Sequence, residues 1–96
     1  MDAQTGKGFL TLLLNQRLMG KDDLEEAIKI ASEKSPTGAF RSAGIYFVGK
    51  HGTGIYNGYL AFQKGTRWLA MIRRDEGQAA FDAAVAELRQ SAGGTP

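Results

Sequence analysis

The stretch IYFVGKHGTGIYNGYLAFQKGTRWLAMIRR, residues 45–74, holds most of the chain's aromatic side chains together with Ile45, Val48, Ile55 and Ile72, and glycine cuts it into short runs. Such residues favour a pleated, half-buried surface, and short glycine-bearing separators favour hairpin turns. The runs 45–50, 55–63 and 67–73 therefore read as three strands. His51-Gly52-Thr53-Gly54 and Lys64-Gly65-Thr66 join them as hairpins into an antiparallel meander.

Helical signals flank this stretch on both sides. Upstream, Leu10, Leu13, Leu14 and Leu18 recur at helical spacing over residues 8–19 and stop at Gly20. Asp22 with Glu25 three residues on then opens a second helix bearing Leu24, Ala27, Ile28 and Ala31, which ends near Lys34 because Ser35 precedes Pro36. Downstream, Asp75 with Gln78 starts a last helix whose stripe is Phe81, Ala84, Val85 and Leu88, closed by Gly93 and Gly94. The expected fold is α+β: a three-stranded antiparallel meander packed against helices in the order α-α-β-β-β-α. One sheet face would stay open unless the first helix or a partner covers it. The 96 residues make one small domain, with the ends 1–6 and 91–96 expected to be disordered.

Composition narrows the function classes. Hydrophobic residues at 43% and charged residues at 23% fit a globular protein and argue against disorder. The absence of cysteine removes disulfides, thiolate metal sites and cysteine nucleophiles. The apolar run from Phe9 to Leu14 is too short for a signal-peptide core or a membrane span, so a cytoplasmic protein with no membrane partner is expected. One histidine, and no carboxylate near the glycine-rich segment, leave neither a nucleophile–base pair nor a metal cluster. The expectation is a non-enzymatic protein without a cofactor.

Charge is unevenly spread. Net charge is +2, yet residues 34–74 contain no carboxylate and carry Lys34, Arg41, Lys50, Lys64, Arg67, Arg73 and Arg74. Phe40, Tyr46, Phe47, Tyr56, Tyr59, Phe62 and Trp68 lie in the same stretch. Cations with aromatic rings suit nucleic acid, since phosphates attract the one and bases stack on the other. The candidate contacts for nucleic acid, or for a nucleoprotein complex, are Lys50, His51, Tyr59, Lys64, Arg67 and Arg73. Equally open is a sheet whose rings are core and whose cations solvate the rim. The alternative function is a protein-interaction module, an inhibitor, adaptor or homodimer, meeting its partner through Tyr59, Leu69 and Met71 on the open sheet face.

Three motifs add detail. Gly49-Lys50-His51-Gly52-Thr53-Gly54 has the composition of a phosphate cradle, but its spacing matches no nucleotide-binding loop and it joins expected strands. The α-β-β-β-α order over residues 22–91 resembles double-stranded RNA-binding domains. Asp75-Glu76-Gly77-Gln78 stands where that family opens its final helix with a basic cluster. Finally, Leu24-Glu25-Glu26-Ala27-Ile28-Lys29-Ile30-Ala31-Ser32, followed by Tyr59-Leu60-Ala61-Phe62, Gly65 and Arg67-Trp68, resembles the helix and hairpin of small phage-encoded type I anti-CRISPR proteins. That resemblance implies a hairpin edge of Lys64, Arg67 and Trp68 set against the nucleic-acid groove of a surveillance complex.

Overall fold

A computed structural model of the chain describes residues 3–54 and 58–93. Every element among them is a helix: α1 (Ala3–Asn15), α2 (Lys21–Glu33), α3 (Pro36–His51), α4 (Gly58–Glu76) and α5 (Gln78–Gly93). The α+β expectation is thereby corrected. Residues 45–50 lie in α3, and 58–63 and 67–73 lie in the single helix α4; residues 55–57, where the second strand was expected to begin, fall outside the described residues. The antiparallel sheet, its open face and the hairpin at 59–68 go with it.

The physical reason is periodicity. In α4 the buried Phe62, Thr66, Leu69 and Ile72 recur every three or four residues, which is one helical face. A strand at 67–73 would put Arg67, Leu69 and Met71 on one face. Instead Leu69 is fully buried while Arg67 and Met71 are half-buried. In α3 the buried Pro36, Ala39, Ala43 and Phe47 repeat the pattern, with small residues that leave only a faint apolar signature.

The Ser35-Pro36 pair both ends α2 and starts α3. The Ser35 hydroxyl accepts the Gly38 amide at 3.2 Å, and Pro36 fills the first turn, where no amide is needed. In α2, Asp23 rather than Glu25 reaches back to the chain before the helix, accepting the Gly20 amide at 2.9 Å. Between α4 and α5 the joint is Gly77, whose φ of 99° favours glycine. Asp75 lies inside the last turn of α4 and pairs with Arg74. Helix also reaches into both expected disordered ends, since α1 begins at Ala3 and α5 runs to Gly93; residues 1–2 and 94–96 fall outside the described ones.

α4 is the hub and packs against all four other helices. Its Gly65 and Trp68 face α1, and Phe62 and Gln63 face α3. Arg73 reaches the end of α2. With extents of 35 × 34 × 21 Å the chain is two helices thick, given a helix diameter of about 10–12 Å. One layer is α1, α4 and α3 side by side; α2 and α5 form the other. The core joins Leu10 and Leu13, Leu24 and Ala27, Phe47, Phe62 and Leu69, with Phe81, Val85 and Leu88 from α5.

Contact between α1 and α4 is close because glycine permits it. A Cβ on Gly65 would lie 2.3 Å from Leu10 Cγ, and one on Gly6 would lie 2.2 Å from Trp68 Cβ. Gly65 is thus a contact point in mid-helix, not a turn residue. Gly65→Ala is expected to destabilise the chain by about 1–3 kcal/mol through overpacking. Gly49 lies in α3 with nothing within 4 Å of an added Cβ, so Gly49→Ala should stabilise by roughly 0.5–1 kcal/mol through helix propensity. Urea midpoints measure both, and the opposite order would contradict the helical assignment.

Candidate functional site

Two of the expected contact residues converge on a carboxylate. The end of α3 lies beside the start of α2, where Asp23 is 1% exposed. Its Oδ1 accepts from the Tyr46 hydroxyl at 2.6 Å and from Lys50 Nζ at 2.8 Å. Its Oδ2 accepts the Gly20 amide at 2.9 Å and lies 3.1 Å from His51 Nε2. Lys50 also bridges to Asp22. The His51 ring packs on Phe47 with centroids 4.5 Å apart.

Burial opposes ionisation of Asp23, but donation from Lys50, Tyr46, Gly20 and His51 outweighs it and holds the carboxyl at about 2. Burial and the bond to Asp23 push Tyr46 up to about 12. Hydrogen bonds to Asp22 and Asp23 raise Lys50 further still. This knot clamps α3 to the start of α2. All four acceptor directions of the Asp23 carboxylate are taken up by groups of the chain itself.

Arg73 is likewise committed. Its Nε donates to the Ala31 carbonyl and its NH2 group to that of Lys34, both at 2.9 Å, which caps the C-terminus of α2. Arg74 forks onto Asp75, Arg89 onto Glu25, and Lys7 pairs with Glu87.

The remaining expected residues lie along α4. Tyr59 is half-buried against the core and Leu69 is sealed within it. Lys64 and Arg67 are half-buried and each sits over a ring, Lys64 5.4 Å from the centroid of Phe9 on α1 and Arg67 4.7 Å from that of Phe40 on α3. With Leu60, Met71 and Arg74 they form a row at spacing four, three, four, three, the one side of α4 not packed on another helix. This row spans about 20 Å at 1.5 Å per residue.

Charge is segregated between the layers. α1, α3 and α4 as far as Arg74 contain no carboxylate, while α2 carries Asp22, Asp23, Glu25, Glu26 and Glu33. The open side of α4 is therefore electropositive at Lys64 and Arg67. Beside it, Phe9, Leu12, Leu13, Leu18, Leu60 and Ala61 line a groove of about 350 Å³ between α1 and α4. A second, shallower recess of about 410 Å³ runs along α3 past Lys34, Arg41 and Ile45.

Sequence reasoning named Lys64, Arg67 and Met71 and missed Phe9, Leu12 and Leu60. A signal existed: Leu10, Leu12, Leu13 and Leu14 cover more of a helix than one stripe can bury. No helix among the described residues is long and apolar enough to cross a membrane.

The Asp23 knot sets a pH dependence. Its carboxyl is lowered from 3.8 to about 2 on folding, so the stabilisation is complete above the unfolded value and is lost as pH falls through the folded one, about 2 kcal/mol in all. Asp23→Asn should lower stability at neutral pH by about 2–4 kcal/mol. The gap between the two chains should narrow between about pH 4 and 2 in urea titrations; a gap that does not change with pH would contradict the knot.

Comparison with protein-family models, with curated proteins and with solved structures gives no match, so the functional assignment rests on the geometry of this face.

Proposed function

We propose that the chain is a small non-enzymatic protein-interaction module, an adaptor or an inhibitor, whose working surface is the α1–α4–α3 layer. One observation carries this. The large hydrophobic side chains left exposed among the described residues are Leu12 at 49% and Ile45 at 75%, on the two helices that flank α4. Leu12 stands beside a row that mixes apolar and cationic groups, and Ile45 lines the recess along α3 with Arg41, which suits a surface that buries apolar area under a polar rim.

Nucleic-acid binding keeps one support, the lack of carboxylates on α1, on α3 and on α4 before Asp75, with Lys64, Arg67 and Arg41 as its phosphate contacts. It has less to work with than the charge map suggested. Lys50 and His51 are tied to Asp23, and Arg73 to the end of α2. Tyr59 is packed against the core.

A photoreactive side chain in place of Met71, compared with one in place of the exposed Ala86 on α5, separates these outcomes in cells that make the protein. Protein adducts from position 71, abolished by Arg67→Glu, are the expected result. Nuclease-sensitive adducts from position 71 would favour nucleic acid. Adducts from position 86 alone would overturn the proposal.

A further inference from the structure

The α1–α4–α3 layer is not uniform. Where α1 meets the start of α4, the groove lined by Phe9, Leu12, Leu13, Leu18, Leu60 and Ala61 is apolar, with Gln16 and Lys64 also in its lining. Its volume of about 350 Å³ lies at the small end of binding pockets. That suits a few aliphatic side chains presented from one secondary-structure element. Leu12 stands half out of the groove, and only an incoming apolar group can remove that surface from water.

From the groove the row Leu60, Lys64, Arg67, Met71 and Arg74 continues along α4 at helical spacing. A helix laid beside it can set its own side chains into the gaps at the matching three- and four-residue steps. Charge decides its composition. No carboxylate lies on α1, on α3, or on α4 before Asp75, so Lys64 and Arg67 have rings beneath them and no acid of their own layer beside them. The complementary charge must come from the occupant.

We infer that this groove takes an acidic amphipathic helix of a protein partner. Its apolar side chains at i, i+3 or i+4, and i+7 enter between Phe9, Leu12 and Leu60, while carboxylates on its flank pair with Lys64 and Arg67. The inference rests on the interaction-module proposal and adds the chemistry of the partner. A nucleic-acid strand would satisfy the cations but has no aliphatic side chain for the groove. A second copy of the chain would have to offer acids that lie on α2 and α5 among Lys21, Lys29 and Arg89, or at the end of α4, where Asp75 is already paired with Arg74.

A display library tests this with the full-length chain as bait. Each member is a helix of about four turns with leucines fixed at i, i+4 and i+7 and with Glu, Asp, Lys, Arg or Ala allowed elsewhere. The expected result is enrichment of Glu and Asp beside the leucines. Binding of the selected helices should weaken by roughly tenfold or more in Leu12→Asp, and again in the Lys64→Glu/Arg67→Glu pair, with far-UV circular dichroism unchanged. Leu12 is half-exposed, so its replacement spares the core.

Enrichment of neutral or basic helices would overturn the inference, as would equal binding by Leu12→Asp. A concentration-dependent dimer in sedimentation that blocks the selected helices would overturn it too, by making a second copy the occupant. Protein adducts from position 71 with no acidic helix selected would sink this inference alone. The absence of both would remove the interaction-module proposal as well.

Discussion

The approach of α1 to α4 through glycine is the constraint on which the arrangement depends. With Gly6 against Trp68 and Leu10 against Gly65, the two helices lie close enough for Leu10 and Leu13 to enter the core. α4 then has α1 on one flank, α3 on the other and the α2–α5 layer beneath. Three sides are buried and one is left. That remaining side carries Lys64, Arg67 and Met71, so the packing that closes the core also selects which residues of α4 meet a partner.

Electrostatics then sorts the cations of the acid-free segment into structural and available groups. The segment has no carboxylate in its own sequence, but the fold brings some to it: Asp22 and Asp23 to Lys50 and His51. Arg73 meets the carbonyl end of α2, where the helix dipole favours a cation. What linear charge counting presents as one basic patch becomes a clamp, a cap and a short cationic row. Lys64 and Arg67 stay in that row because the side of α4 they occupy has only rings from α1 and α3 next to it.

α1, α2 and α5 were legible in the sequence because each shows an apolar stripe, and α2 ends at its recognisable stop, whereas α1 spans Ala3–Asn15 and ends short of the expected stop at Gly20, which instead opens α2. α3 and α4 were not, for definite reasons. Gly65 signals a turn in one dimension and a helix contact in three. The stripe of α3 is built on Ala39, Ala43 and Gly44, too small to register as apolar periodicity. Tyr59, Phe62 and Trp68 have strand preferences that tertiary packing overrides. Ser35-Pro36 signals a helix stop in the sequence, although the pair is equally a start. The same misreading shaped the site: a strand puts Leu69 and Met71 on one face, whereas a helix sends Leu69 into the core and Met71 outward. Lys64 and Arg67 stay beside Met71 on the outer side of α4, half-buried over the rings of Phe9 and Phe40.

The continuity of α4 bears most directly on all of this, and nuclear magnetic resonance of the labelled full-length chain measures it. An unbroken helix from Gly58 to Glu76 gives Cα shifts displaced to the helical side throughout, with contacts between the Gly65 α-protons and the Leu10 methyl groups. A break in the helical shifts at residues 64–66, with cross-strand contacts between residues 59–63 and 67–71, would contradict it.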